Sequence, residues 1–255
     1  MVDIESVARA AVHAGGAVLR ERYRADDSAG TYTTHDVKAA ADVAAEERML
    51  PVIQQAFPNH EIFAEESGEL AGTGPYRWIV DPLDGTNNFT AGLPLFSAAV
   101  SVLRDGEPVV GAVCQPVTDE IYLARRGDGI RYNSTTVTAE SSVPVEAGTV
   151  AFICGREVPK NPEYSEQATA MQAAVGSKVK RVCASWAPTV HSGLFARGRL
   201  QGLIQFHPDE EEQAVTELFA AEADGVTRRE GELLVAAADS ETLAVLWEAT
   251  ADTRC

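Results

Sequence analysis

Residues 78–89 of the chain read WIVDPLDGTNNF, with two aspartates directly behind a short apolar run. The apolar residues predict a buried strand, and Asp81 and Asp84 follow at its carboxyl end. Carboxylates gathered at a strand end repel one another, so either their pKa values are raised or they bind cations. Because no His or Cys lies close by in the sequence, these ligands favour Mg²⁺ over zinc. This stretch therefore predicts a site for hard cations at the end of a strand.

Gly85 and Thr86 follow the second aspartate and extend the prediction to an anion. Glycine lets the backbone approach a ligand closely, so the amides of Gly85 and Thr86 are candidates for contacts with a phosphate. A simpler alternative needs no ligand: Asp84 and Gly85 form a bend, and Asn87 or Asn88 caps a helix. The short motif alone leaves both interpretations open.

The overall composition is typical of a globular protein. A chain of 255 residues with 45% hydrophobic and 23% charged residues can bury a full core. No segment reaches the roughly 18 unbroken apolar residues that span a bilayer, and the N-terminus does not resemble a secretory signal. The four cysteines are scattered, without the spacing of a zinc site or a disulfide framework. We therefore expect a soluble, cytoplasmic protein with no membrane partner.

The charge balance is strongly acidic, with 38 Asp and Glu against 21 Lys and Arg and a formal net charge of -17. An acidic surface poor in lysine suits a cytoplasm at high salt, because screening removes the self-repulsion of such a charge. The charge balance thus favours a halophilic host over an ordinary acidic enzyme. No basic stripe is visible that would neutralise phosphates, so we expect no nucleic-acid partner.

Helical and strand patterns alternate along the chain. Apolar residues repeat with helical spacing from Ile4, with Asp3 as the N-cap. Because no linker separates the two halves, we expect one domain over residues 1–255, with halves of about 1–140 and about 145–255. Further helices are predicted near residues 39–57, 163–175, 186–197, 210–223 and 241–251. Strands are predicted at EIFAE, RWIV, TVAFIC, RLQGLIQF and LLVAAA and as a hairpin series between residues 96 and 132.

The string DPLDGTNNF, residues 81–89, resembles the D-P-(L/I)-D-G-T-x-N-F signature of the inositol monophosphatase family, which includes fructose-1,6-bisphosphatases. Two upstream segments, FAEES and DVKAAADVAAEERML, resemble further family motifs, and the resemblance extends over most of the chain. Ala64 replaces a usual glycine and Ala39 a usual threonine. The resemblance implies an α+β fold, a layered αβαβα sandwich.

The resemblance also implies a set of metal ligands. Glu65 matches a metal ligand that also contacts the attacking water, and Asp81 matches the aspartate that bridges two metals. Leu83 matches a position whose backbone carbonyl coordinates the first metal. Asp84 matches a ligand of the second metal. Two or three Mg²⁺ ions are implied.

Two further residues match positions that orient the nucleophilic water. Thr86 is the threonine of the signature, and Asp42 matches the aspartate that hydrogen-bonds it. Together with Glu65, they are the implied catalytic residues. Considered without the family, Asp42 reads as a solvated helix residue.

The C-terminal half departs from the family pattern. Alignment of EEQAVTELFAAEADG with the family motif places Glu212 where a third metal-binding aspartate is usual, with Asp209 as the substitute candidate. The local alternative is a helix cap at Asp209 with Glu212 three residues on, which needs no metal. Ser185 matches a position that contacts substrate, although a helix N-cap is the simpler use of this serine. Gln205 stands where inositol-specific members often carry glutamate.

The function implied is that of a Mg²⁺-dependent phosphomonoesterase that hydrolyses small sugar or polyol phosphates, of the inositol monophosphate or fructose 1,6-bisphosphate class, with a metal-activated water. An alternative is a catalytically weak family member that binds a phosphorylated metabolite or acts as a regulatory protein. A homodimer is a possible assembly, since family members are often dimers. The sequence does not select the phosphate ester, because the residues that shape the pocket are the divergent ones.

Overall fold

The computed structural model describes residues 3–27, 29–32 and 37–251. The described helices are α1 (Ile4–Arg24), α2 (Ala40–Ala56), α3 (Thr86–Thr90), α4 (Pro162–Gly176), α5 (Pro188–Ala196), α6 (Glu210–Glu222) and α7 (Ser240–Ala249). The first strands are β1 (Gly30–Tyr32), β2 (Val37–Ala39), β3 (Glu61–Ala64), β4 (Gly68–Leu70), β5 (Tyr76–Asp84), β6 (Ser97–Arg104), β7 (Glu107–Gln115) and β8 (Glu120–Arg125). The later strands are β9 (Gly129–Tyr132), β10 (Thr135–Val137), β11 (Thr149–Cys154), β12 (Arg181–Cys183), β13 (Gly202–Phe206), β14 (Val226–Glu230) and β15 (Leu233–Ala237).

The outer helical layer on the N-terminal side is formed by α1 and α2. Asp3 caps α1 as expected, since its carboxylate accepts a hydrogen bond of 3.2 Å from the amide of Ser6. The buried residues of α1 recur every three or four positions, which gives the helix one apolar face. That face packs with α2 on an eight-stranded sheet of order β10-β9-β8-β7-β6-β5-β3-β4.

The other face of this sheet packs on α5 and α6, and these two helices pack in turn on a second sheet. The second sheet has five strands in the order β12-β11-β13-β15-β14. Side chains such as Tyr122, Phe195, Phe219 and Leu203 fill this central layer. The far face of the second sheet is covered by α4 and α7, for example by Met171 and Trp247. The layers therefore run α, β, α, β, α, which confirms the fold predicted from the resemblance.

Strand β5 carries the opening motif and continues past the point where the sequence suggested its end. Its pairing with β6 is regular to Asp81 and irregular between Asp81 and Asp84. Pro82 lies in that irregular segment, which suits a residue without an amide hydrogen. Strand β3 runs parallel to β5, with Ala64 opposite Val80. Their carboxyl ends therefore lie side by side, which brings the residues after β3 next to the end of β5.

No helix in the described parts of the chain has both the length and the apolar character needed to cross a bilayer.

Candidate active site at the carboxyl ends of two parallel strands

A cavity of about 90 Å³ opens where β3 and β5 end and α6 begins. It brings together residues from five separate stretches of the chain. Its lining consists of Glu65, Asp81, Leu83, Asp84, Gly85, Thr86, Asn87, Arg156, Trp186, Pro188, Asp209 and Glu212. All five proposed metal-ligand residues are thus in one place.

Glu65 and Asp81 come from the ends of β3 and β5. The amide of Glu65 donates to the carbonyl of Val80 at 3.2 Å, which continues the pairing of the two strands by one residue. The Asp81 side chain accepts a hydrogen bond of 3.1 Å from the amide of Leu83 and is buried. Both carboxylates are therefore held by the backbone of the sheet, so their separation is fixed by strand geometry.

Glu46 on α2 holds the turn that follows β3, a role that the sequence analysis did not assign. Its carboxylate is buried and accepts a hydrogen bond of 2.8 Å from the amide of Glu66, and the hydroxyl of Ser67 donates to it as well. The sequence spacing indicated that Glu46 lies near the site, because Glu46 follows Asp42 by one helical turn on the same face. Glu46 thereby positions the chain next to Glu65.

Thr86 and Asp42 meet as the resemblance implied. The Thr86 hydroxyl lies 3.2 Å from the Asp42 carboxylate and 2.9 Å from the carbonyl of Leu83, both of which are acceptors. Asp42 is buried, and it also accepts a hydrogen bond of 2.9 Å from the amide of Ala39. Burial raises the pKa of Asp42 to about 6. The expectation of a solvated helix residue, which applied without the family, is therefore wrong.

Gly85 forms the turn between β5 and α3 in the left-handed region, with φ of 87°. A side chain there would meet backbone on two sides, because an ideal Cβ would lie 3.0 Å from the carbonyl oxygen of Leu95 and 3.1 Å from that of Trp186. The side-chain amide of Asn88 donates hydrogen bonds to the same two carbonyl oxygens, at 2.8 Å to Leu95 and 3.0 Å to Trp186. Asn88 therefore fixes this turn by hydrogen bonds from its side chain, and it does not act as the helix cap of the simpler interpretation.

Asp84 is a buried carboxylate that is held by residues distant in the sequence. One of its oxygens accepts hydrogen bonds from the amide of Thr189, at 3.0 Å, and from the hydroxyls of Thr189 and Ser97. Burial raises its pKa, and the bonds from Thr189 oppose that effect. Thr189 is 105 positions away in the sequence. The start of α5 therefore supports the second aspartate of the opening motif.

Arg156, in the loop after β11, is a second residue that the sequence analysis did not identify. Its Nη1 lies 3.1 Å from a carboxylate oxygen of Glu65, and its Nε lies 3.0 Å from one of Asp209. The guanidinium thus joins the end of β3 to the N-terminus of α6. No motif signalled this arginine, because the pairing depends on the meeting of the two halves of the fold.

Asp209 and Glu212 both line the cavity, at the start of α6. The Asp209 amide lies 3.4 Å from a carboxylate oxygen of Glu212, which is the capping arrangement considered from the sequence. The Asp209 side chain bonds the amide and Nε of Arg156. Capping and cavity lining are therefore compatible for Glu212, and its role as a metal ligand stays a prediction.

Ser185, which was predicted to contact substrate, and Gln205, which replaces the glutamate of inositol-specific members, both lie outside this lining. Ser185 bonds His191 at 2.9 Å, while its neighbour Trp186 reaches the cavity. Gln205 is completely buried on β13, and neither polar atom of its side chain has a partner among the described residues. A side chain without exposure does not present its amide to a substrate in this arrangement.

The donors around the cavity fit a hard cation by chemistry. They are carboxylates and a backbone carbonyl, which are the ligands that Mg²⁺ prefers. Within the described residues no three His, Cys, Asp or Glu side chains stand close enough together to hold one ion as they lie here. Arg156 donates hydrogen bonds to Glu65 and Asp209, and Thr189 donates to Asp84. These bonds account for the separation of the carboxylates. Coordination would therefore require these side chains to turn within the cavity.

A larger cavity of about 450 Å³ lies at the opposite end of β5, near the start of α1. Tyr76, Arg104, Arg125 and Arg126 contribute to its walls, whereas Asp3 is the only acidic residue of its lining. It contains none of the proposed catalytic residues. We therefore assign the candidate active site to the smaller, carboxylate-lined cavity.

Comparison with known proteins agrees with the family resemblance of the sequence motifs. The sequence profile of the inositol monophosphatase family matches residues 1–242. A protein of Pasteurella multocida named Nus factor SuhB is 32% identical over 86% of this chain and 81% of its own. A fructose-1,6-bisphosphatase/inositol-1-monophosphatase of Aquifex aeolicus is 34% identical over 57% of this chain and 56% of its own. The crystal structure of the extragenic suppressor protein suhB from Bartonella henselae superposes with a TM-score of 0.86, at 23% identity, over 96% of this chain and 97% of that one.

The names of these relatives contradict the expectation that nucleic acid is no partner. A relative that shares most of the chain is designated a Nus factor, and so is one from Escherichia coli at 28% identity. The expectation rested on the absence of a basic stripe in the sequence, whereas binding depends on the local patches that the folded surface presents. The inference from composition was therefore wrong.

Proposed function

Because the chain belongs to the inositol monophosphatase family, we propose that it is a Mg²⁺-dependent phosphomonoesterase acting on small sugar or polyol phosphates, of the inositol monophosphate or fructose 1,6-bisphosphate class. The observation that carries the proposal is the meeting of Glu65, Asp81 and Asp84 with the Thr86–Asp42 pair in one cavity. Metal ligands and a water-orienting pair are the two components that such a hydrolysis needs.

The metal ligands divide into two sets in this proposal. Glu65, Asp81 and the carbonyl of Leu83 would hold a first Mg²⁺, and Asp84 and Glu212, with Asp81, would contribute ligands to a second. When bound, the ions neutralise the carboxylates and supply positive charge to the attacking and leaving oxygens at phosphorus. This charge also removes the repulsion between an anionic ester and a strongly acidic protein.

The attacking water is oriented by Thr86 and deprotonated with the help of Glu65. The Thr86 hydroxyl has one proton and two neighbouring acceptors, Asp42 and the Leu83 carbonyl. When the carbonyl is engaged as a ligand, the proton goes to Asp42, and a lone pair of the Thr86 oxygen then faces the water as an acceptor. Asp42 must be ionised to act in this way.

The phosphoryl group is held by the amides of Gly85 and Thr86. Gly85 and Thr86 both line the cavity, and the left-handed conformation of Gly85 sets the direction of this turn. Preformed amide donors of this kind stabilise the charge that develops on phosphoryl oxygens. Ser185 is proposed to contact the remainder of the substrate after a movement of the Trp186 segment.

A substrate panel tests the proposal. Phosphate release is measured with Mg²⁺ and high KCl for inositol 1-phosphate, fructose 1,6-bisphosphate, glucose 1-phosphate, 3′-phosphoadenosine 5′-phosphate and NADP. We expect turnover of at least one sugar or polyol phosphate, and loss of that turnover when Mg²⁺ is removed. Absence of turnover for every ester, or turnover of the nucleotides alone, would contradict the proposed class.

The Nus factor names favour a second candidate, a catalytically weak family member that binds a phosphorylated metabolite or serves as a regulatory protein. Glu212 in place of the usual aspartate supports this candidate, since its longer side chain must be accommodated by the ion or the backbone. Calorimetric titration with the same panel separates the two candidates. Binding without hydrolysis supports the regulatory role, whereas hydrolysis of a bound ester contradicts a purely regulatory role.

A further inference from the structure

Cys183, Ser185 and His191 form a cluster of nucleophilic side chains that the proposed hydrolysis does not use as such. The sulfur of Cys183 lies 3.6 Å from Nε2 of His191 and 3.4 Å from the hydroxyl oxygen of Ser185. The Ser185 hydroxyl in turn lies 2.9 Å from the same ring nitrogen. Cys183 ends β12 and His191 lies in α5, so the cluster joins the second sheet to the central helical layer. We refer to these three residues as the Cys183 cluster.

His191 is placed to accept a proton within this cluster. The ring is 1% exposed, and its Nδ1 has no hydrogen-bond partner among the described residues. The imidazole is therefore oriented only through Nε2, the atom that faces the thiol and the hydroxyl.

The thiol of Cys183 differs from the other described cysteines. The hydrogen bond with His191 is the largest cause that lowers the pKa of Cys183, to about 6, against the opposing effect of burial. Burial raises the pKa of Cys114 to about 12 and that of Cys154 to about 11. Cys183 is also partly exposed. A thiolate that is both stabilised and accessible is the reactive form of cysteine.

Space for a reagent lies beside the cluster. A cavity of about 200 Å³ is lined by Phe152, Ile153, Cys154, Gln172, Ala184, Ser185 and Trp186. Its walls are mostly apolar, so an uncharged or aromatic group fits there better than an anion does. Cys154 lines this cavity, and Cys183 adjoins it through Ser185, so a small disulfide seated there lies near both sulfurs. The hydrogen bond with His191 distinguishes Cys183 from Cys154.

We propose that Cys183 is a modification site that reacts with small disulfides to form a mixed disulfide, with His191 as the proton acceptor. The proton of the thiol passes to Nε2 of His191, and the thiolate attacks one sulfur of the disulfide R–S–S–R. The new bond joins the Cys183 sulfur to S–R, the S–S bond of the reagent breaks, and R–S⁻ leaves. The disulfide is the oxidant, so the reaction requires no other electron acceptor.

An adduct at this position would reach the candidate active site through Trp186. The backbone carbonyl of Trp186 accepts a hydrogen bond of 3.0 Å from Asn88, in the helix that follows Gly85. Because Trp186 also lines the carboxylate cavity, displacement of residues 184–187 would disturb that cavity and the Gly85 turn together. We therefore expect the mixed disulfide to lower phosphate release, an expectation that rests on the proposed function.

Reactivity is tested with 2,2′-dithiodipyridine, a neutral aromatic disulfide that an acidic protein does not repel. The protein carries Cys255→Ser, so that only the three described cysteines remain. Intact mass and peptide mapping identify the modified residue at pH 7. We expect one rapid adduct on Cys183, formed at least about tenfold faster than any on Cys154 or Cys114. Equal or slower reaction of Cys183 would overturn the proposal.

Three variants complete the test. Cys183→Ser should abolish the rapid phase, whereas Cys154→Ser, on the neighbouring strand, should leave it unchanged. His191→Gln, provided that its circular dichroism matches the parent, should slow the adduct about tenfold at pH 7; an unchanged rate would overturn the role of His191. If His191→Gln does not fold, the mapped site and its rate relative to Cys154 still decide the proposal. These readouts are masses, so they remain valid if the protein hydrolyses no phosphate ester.

Discussion

The buried carboxylate of Asp42 lowers the stability of the fold but is needed for the proposed hydrolysis. Its carboxylate is buried at the start of α2, between the Ala39 amide and the Thr86 hydroxyl, and its pKa rises to about 6. Charge at that position is unfavourable for folding, because water solvates a carboxylate better than two hydrogen bonds do. The same charge is required if Asp42 is to accept the proton of Thr86. The residue is therefore an example of a functional group retained at a cost in stability.

The Asp42→Asn variant should be more stable than the wild type at pH 8 and closer to it at pH 4. A carboxyl group whose pKa is raised on folding lowers stability as pH rises from its ordinary value of 3.8 to about 6. A change of this size corresponds to about 3 kcal/mol as an upper bound, so we expect a gain of about 1–3 kcal/mol at pH 8. Urea denaturation without metal at both pH values measures it. A pH-independent difference would show that desolvation of the charge is not the cause.

At the scale of elements, the site depends on the turn from β5 to α3 and on contacts that are distant in sequence. The sequence predicted Asp81, Asp84 and Gly85 because strand, turn and glycine signals occur within nine consecutive residues. It did not predict Thr189 or Arg156, since these reach the site from the other half of the fold, 105 and 91 positions from their partners. Short-range patterns report local geometry, whereas such contacts exist only after the layers pack. The length of β5 was underestimated for the same reason, because pairing with β6 extends it through Pro82.

Gly85→Ala tests the turn, and Gly92→Ala is the matched control. Both glycines have positive φ, of 87° and 73°, but a Cβ at Gly85 would meet two carbonyl oxygens at 3.0 and 3.1 Å, whereas one at Gly92 would meet nothing within 4 Å. We expect Gly92→Ala to cost about 1 kcal/mol from the left-handed conformation alone, and Gly85→Ala at least about 2 kcal/mol. Chemical denaturation of both variants gives the comparison. Equal losses would argue against close backbone packing at Gly85.

The whole molecule combines a five-layer fold with a large excess of negative charge. The layers place one carboxylate-rich cavity at the junction of the eight-stranded sheet and α6. The net charge of -17 adds repulsion that opposes the compact state in dilute buffer. Cations bound in the cavity would relieve that repulsion locally, and salt would screen it over the surface. The fold was predictable from the signature, but the function of the surface was not, as the names of the relatives show.

The melting temperature without Mg²⁺ should rise steadily between low and about 1 M KCl, because the Debye length falls from about 30 Å at 0.01 M to about 3 Å at 1 M. Sucrose at matched osmolality is the control, since it does not screen charge. A melting temperature that stays constant or falls with KCl, or that rises equally with sucrose, would contradict the proposed salt adaptation.

The rate of Mg²⁺-dependent phosphate release by the wild type, by Glu65→Gln and by Asp84→Asn tests most directly whether this cavity is a phosphatase active site. Both substitutions keep the shape of the side chain and remove its charge, and Gln at position 65 can still accept the bond that Arg156 donates to Glu65. Asp119→Asn is the control, because Asp119 is an exposed carboxylate that pairs with Arg20 at 2.8 Å, outside the site. We predict release by the wild type and the control, with losses of about a hundredfold or more in the two site variants. Equal rates in all four proteins, or no release by the wild type with an ester that it binds, would contradict the assignment of this cavity as a phosphatase active site.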